Sequence, residues 1–117
     1  MIEKGRIGEQ QVVDELITNG WLIIDRNVHT RYGELDIVAI KDDRLRFIEV
    51  KLRSSQRWLW DAVPTSKLKR MFRCVEVFLS TSSYKYCELE LCTAIVIHNK
   101  IEWVHNCTDV EERWLYT

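Results

Sequence analysis

Two carboxylates and an amine stand out for their spacing. The chain reads Gly33-Glu34-Leu35-Asp36-Ile37-Val38-Ala39-Ile40, breaks at the charged run Lys41-Asp42-Asp43-Arg44, and resumes as Leu45-Arg46-Phe47-Ile48-Glu49-Val50-Lys51. Strands send successive side chains to opposite faces, so Asp36 shares a face with Val38 and Ile40, and Glu49 with Phe47 and Lys51. A hairpin turning at Asp42-Asp43 opposes Asp36 and Glu49, with Cβ atoms about 5 Å apart, and like charges so placed repel unless something positive lies between them. A hard divalent cation such as Mg²⁺ meets that need with one or two carboxylates, several waters and a substrate phosphate. Lys51 emerges beside the pair. Acid, acid and lysine in this order make a minimal centre for metal-dependent phosphodiester cleavage.

Charged residues on a hairpin more often form a solvated face. Here, however, the acids sit inside near-continuous apolar runs of the kind found in strands buried on both faces. A carboxylate in such a place is costly unless paired or bound to metal.

The elements that must position these groups follow from periodicity. Residues 6–19 predict a helix with Val12, Val13, Leu16 and Ile17 as its apolar stripe and Gly20 at its end. Glu9 precedes that stripe at helical spacing and projects toward the core, although a first-turn glutamate also favours the helix dipole. Residues 21–28 predict a strand and His29 to Gly33 a polar loop, ahead of the central hairpin. After an irregular stretch containing Trp58-Leu59-Trp60 and ending at Pro64, Thr65 and Ser66 can cap a helix reaching Leu79. Its apolar positions are Leu68, Met71, Phe72, Val75, Phe78 and Leu79, and Lys69, Arg70 and Arg73 lie opposite. Segments 92–97 and 101–105 predict two closing strands. Helix, three strands, helix, two strands give an α/β fold, a mixed central sheet flanked by helices.

A chain of 117 residues, 46% hydrophobic with five Trp, predicts one folded domain over residues 1–117. No run approaches the roughly 20 apolar residues that span a bilayer, and no signal-like apolar core opens the sequence, so no membrane is expected and the expected location is cytoplasmic. Cys74, Cys87, Cys92 and Cys107 lack the close pairs of zinc or redox motifs and read as reduced, apolar thiols. A formal net charge of −1 hides an asymmetry. From Lys51 to Arg73, the cations Lys51, Arg53, Arg57, Lys67, Lys69, Arg70 and Arg73 face Asp61 alone. Such a block suits a phosphate backbone, and a solvated helix face explains part of it.

Gly5 and Gly8-Glu9 opening a helix, Asn27 ahead of Gly33-Glu-Leu-Asp36-Ile-Val, Phe47-Ile-Glu49-Val-Lys51-Leu-Arg53 and a Lys67-bearing helix together resemble the YraN family, also called UPF0102, over residues 5–97. That family is similar to archaeal Holliday junction resolvases and belongs with the PD-(D/E)XK nucleases. The resemblance implies a restriction-endonuclease-like αβββαβ core, Mg²⁺ or Mn²⁺ dependence and DNA cleavage. It makes Asp36 the motif aspartate, Glu49 and Lys51 the E-x-K pair, and Glu9 the acid that resolvase-like members carry on their first helix. The sequence departs from the plainest pattern at Leu35, where the motif proline stands elsewhere, and in residues 55–61, which lack a glycine often found after the E-x-K strand.

The resulting expectation is a metal-dependent DNA endonuclease of the Holliday-junction-resolvase kind. Asp36, Glu49 and the Val50 carbonyl would hold the metal, with Lys51 and Glu9 beside them. Arg53, Arg57, Lys67, Lys69, Arg70 and Arg73 would bind DNA phosphates. A non-catalytic nucleic-acid-binding module of the same fold is the alternative, and an interaction protein using the Trp58–Trp60 segment is a third. Symmetric cleavage of a four-way junction needs two sites, which a homodimer would supply.

Overall fold

Apolar residues on both sides of the central strands demand cover on both sides, and two helices supply it. The computed structural model describes residues 2–54, 65–84, 86 and 88–107. Its elements are α1 (Ile2–Thr18), β1 (Leu22–Thr30), β2 (Gly33–Lys41), β3 (Arg44–Leu52), α2 (Thr65–Thr81), β4 (Glu88–Ile97) and β5 (Lys100–Cys107). The sheet order is β1-β2-β3-β4-β5. Only β3 and β4 run parallel, and a parallel pair needs a long crossover, which the α2 segment provides. The remaining pairs are antiparallel.

Helix α1 packs Val12, Val13 and Leu16 on one face of the sheet against Ile37, Ala39, Ile48, Cys92, Ala94 and Val96. Helix α2 packs Met71, Phe72, Cys74, Val75 and Phe78 on the other, against Leu35, Val38, Leu45, Phe47 and Leu91. The predicted order of elements holds, with two local corrections. The expected polar loop after residue 28 shrinks to the turn Arg31-Tyr32, because β1 continues to Thr30 and pairs it with Gly33. Ile17, expected in the apolar stripe, is exposed. The reason lies in how α1 ends. Gly20 adopts φ 89°, its N–H donates to the Ile17 carbonyl, and the Trp21 N–H donates to the Leu16 carbonyl. This is a Schellman turn, and it folds the Trp21 ring back into the core beside Leu16, leaving Ile17 outside.

Among the described residues, the end of β3 near the β2–β3 turn carries the most enclosed ion pair. Glu90, with 3% of its side chain exposed, receives Arg46 at 2.7 Å and Arg44 at 2.7 Å. The Arg46 guanidinium also lies over the rings of Trp21, at 4.3 Å, and Trp103, at 5.3 Å. The Trp103 indole N–H donates to Glu15 of α1 at 2.6 Å, which ties the β5 edge to the helix. The Trp58–Trp60 segment lies outside the described residues, and among these no helix is long and apolar enough to cross a membrane.

Two outcomes follow for equilibrium unfolding in urea. Glu90→Ala leaves the largely buried Arg46 guanidinium without its carboxylate, while the half-exposed Arg44 keeps Glu88 at 3.0 Å, and costs about 3 kcal/mol, as removing one partner of a buried pair does. Gly20→Ala forces a Cβ into a left-handed backbone and costs about 1–2 kcal/mol.

Candidate functional site

The site begins where β2 and β3 part. Their pairing runs from Lys41↔Arg44 to Ile37↔Ile48, the register expected from a turn at Asp42-Asp43, and Asp42 takes φ 55° to make that turn. Asp36 and Glu49 are the next residues along. There the side chain replaces the backbone: the Val50 N–H donates to Asp36 Oδ2 at 2.7 Å. Strict alternation, which would have placed Asp36 squarely with Val38 and Ile40, lapses at this residue. Leu35 packs with Val38 on the α2 side, whereas Ile37 packs beneath α1. Opposite the lapse stands Asn27, between the pairs Arg26↔Ile37 and Val28↔Leu35, with φ 53°. Asparagine tolerates that left-handed conformation better than most residues. A backbone irregularity thus re-aims the Asp36 carboxylate into the gap between two strands.

Glu49 and Lys51 lie further along β3, each about three-quarters buried, with Lys51 Nζ 4.0 Å from Glu49 Oε1. Glu9 reaches the same neighbourhood from α1. Gly8 makes this approach possible, since a Cβ there would sit 3.2 Å from the Leu52 side chain on β3. Arg26, facing α1 from β1, lies 4.0 Å from Glu9 and donates to Gln10 at 3.2 Å, tying the middle of the helix to the outer strand.

The electrostatics are strained by design of the backbone. Burial pushes the Asp36 carboxyl up to about 6, the Val50 N–H opposes that rise, and the charges of Glu9, Glu34 and Glu49 add to it. Glu9 is likewise raised, chiefly by burial, against the opposing pull of Arg26. Four carboxylates therefore share one end of the sheet. Among the described residues no three His, Cys, Asp or Glu side chains converge tightly enough to hold a metal unaided. Asp36 and Glu49 are the carboxylates that could hold a hard cation here, with water completing its shell.

A cavity of about 300 Å³ opens on the α2 side, lined by Tyr32, Gly33, Glu34, Glu49, Arg70, Met71 and Cys74. Of the expected DNA contacts, Arg70 lines this cavity and Arg73 lies 5.4 Å from the Tyr32 ring centroid. Lys69 is half-buried on α2, Arg53 follows β3 with its N–H on the Val96 carbonyl, Lys67 belongs to the first turn of α2, and Arg57 lies outside the described residues. Sequence reasoning missed Arg26, Arg31, Tyr32 and Glu34. Glu34 had a usable signal, standing two residues before Asp36. Arg31 and Tyr32 depend on the tight β1–β2 turn, and Arg26 on the packing of α1 against β1.

The raised carboxyls fix the sign of a pH effect. Between the ordinary carboxylate range and about pH 6 the folded chain holds protons that the unfolded chain has lost, so these groups add stability as pH falls from 7 toward 4. In chelator-treated buffer at pH 7.5, Asp36→Asn should raise the melting temperature, because a neutral amide still accepts from Val50 without the buried charge. That gain should shrink as pH drops through 6, a trend that calorimetry at several pH values checks.

The profile of the uncharacterised protein family UPF0102 matches residues 8–105. Among related chains, a UPF0102 protein of Dichelobacter nodosus is 32% identical over 89% of this chain and 87% of its own length. One from Helicobacter pylori is 34% identical over 91% of both chains, and one from Dictyoglomus thermophilum 34% identical over 84% of this chain and 85% of its own. With the match spanning the segment that holds Glu9, Asp36, Glu49, Lys51 and α2, the chain belongs to the UPF0102 family.

Proposed function

We propose that this protein is a divalent-metal-dependent DNA endonuclease of the PD-(D/E)XK kind, on a restriction-endonuclease-like fold, with branched DNA as its substrate class. One observation carries the reading: a carboxylate wedged between two parting strands, pushed up to about 6, with Glu9, Glu34 and Glu49 as its charged neighbours. Such crowding costs stability in the apo chain and finds its use once a cation and a phosphate enter.

Asp36 and Glu49 would hold Mg²⁺ or Mn²⁺, with the Val50 carbonyl as a third oxygen. When bound, the ion supplies charge stabilisation at the phosphate and lowers the pKa of bound water. The chain's own residues do the rest. The Val50 N–H fixes one Asp36 oxygen and so orients the other. Lys51, near Glu49, holds an attacking water or offsets charge developing on phosphoryl oxygens. Glu9 orients a water from the α1 side. Arg70, Arg73, Lys69 and Lys67 on α2, with Arg53 and Arg57, bind neighbouring phosphates, giving an affinity that falls with salt and little sequence preference.

The test is incubation of linear, flap and four-way-junction DNA in Mg²⁺ or Mn²⁺. The native chain should nick branched DNA, Lys51→Ala should slow this by about 10²–10³-fold, and Asp36→Ala or Glu49→Ala should abolish it with folding retained. Equal rates for native and Lys51→Ala chains would assign the activity to a contaminant. Salt-sensitive DNA binding without cleavage would replace the reading with that of a non-catalytic binding module.

A further inference from the structure

The cavity beside Glu49 is polarised. Glu34 and Glu49 contribute its acidic lining, Arg70 its basic one, and Tyr32, Gly33, Met71 and Cys74 the surfaces between. Tyr32 gathers further cations, since the guanidinium of Arg31 lies over its ring at 4.9 Å and that of Arg73 at 5.4 Å. A guanidinium held against an aromatic ring keeps its outer N–H groups in a fixed fork, ready for a phosphate. Among the described residues Arg31, Arg70 and Arg73 make no ion pair. Two guanidiniums thus flank one ring at the rim, Arg70 lines the cavity beside it, and Glu34 and Glu49 line its other side.

The turn that presents Tyr32 is fixed from behind. The Thr30 hydroxyl accepts the Tyr32 N–H at 3.1 Å and lies 3.0 Å from the Gly33 carbonyl oxygen and 3.2 Å from the Cys74 sulfur on α2. Gly33 takes φ 143°, a backbone conformation open to glycine, and its missing side chain leaves room above Cys74. A hollow of about 300 Å³ is at the small end of the range for small-molecule sites, too small for a base-paired helix and suited to one nucleotide.

We infer that this cavity is a subsite for a single unpaired nucleotide, whose base enters the hollow beside Arg70 and whose phosphate is held at the rim by Arg31 and Arg73 on Tyr32, away from Glu34 and Glu49 and next to the end of the sheet where the scissile phosphate would sit. The inference rests on the nuclease reading and narrows its substrate to DNA with a nucleotide out of the stack beside the cleavage point. Arg31 and Tyr32 become the specificity-determining residues, contributed by the β1–β2 turn.

Fluorescence anisotropy in EDTA tests this without cleavage, comparing a blunt duplex with the same duplex carrying a single-stranded overhang. The native chain should bind the overhang DNA at least about tenfold more tightly. Arg31→Ala combined with Arg73→Ala should erase that preference, Tyr32→Leu should weaken it, and Tyr32→Phe, which keeps the ring, should preserve it. Equal affinity for both DNAs, or a preference untouched by the double arginine variant, overturns the subsite. Failure of the two readings is distinguishable: cleavage without overhang preference removes the subsite and leaves the nuclease, and preference without cleavage in Mg²⁺ does the reverse.

Discussion

One hydrogen bond organises the carboxylate-bearing end of the sheet. Where β2 and β3 stop exchanging backbone bonds, the Val50 N–H would be an orphan, and the Asp36 carboxylate takes it at 2.7 Å. That bond holds a carboxylate in a partly dehydrated gap where its ionised form is disfavoured. It succeeds because the surrounding layers over-determine it: the apolar cores on both faces of the sheet hold the strands, and the left-handed Asn27 on β1 absorbs the local mismatch. Glu9, Glu34 and Glu49 then crowd the same region from α1, β2 and β3. The architecture spends stability at one end and concentrates its strong pairings, Arg44 and Arg46 on Glu90, toward the other.

Much of this was legible in the chain itself. The charged break at residues 41–44 fixed the hairpin register, and the apolar runs around Asp36 and Glu49 marked β2 and β3 as interior strands. The spacing of Met71, Phe72, Val75 and Phe78 marked the buried side of α2. Gly20 announced the end of α1. What period-based reading could not deliver was the lapse at Asp36, because alternation assumes regular pleating and here the pleat breaks opposite the left-handed Asn27. Ile17 was misplaced for a related reason: helical spacing knows nothing of a returning Trp21 that fills the same space.

The arginines divide along the same line. Those on α2 formed a visible cluster in sequence, so Arg70 and Arg73 could be named in advance. Arg31 looked like one residue of a polar loop. It takes its place only once β1 extends to Thr30 and compresses that loop into a two-residue turn, which lays Arg31 and Arg73, from distant parts of the chain, against one tyrosine. Long-range convergence of this sort leaves no local trace in the sequence.

The outer strand β1 carries two departures from regularity, a register shift between Ile23 and Asp25 and the left-handed Asn27. An open sheet border invites another chain to dock by continuing the hydrogen-bond ladder, and kinks of this kind spoil the template. Lateral growth of the sheet from this side is thereby discouraged.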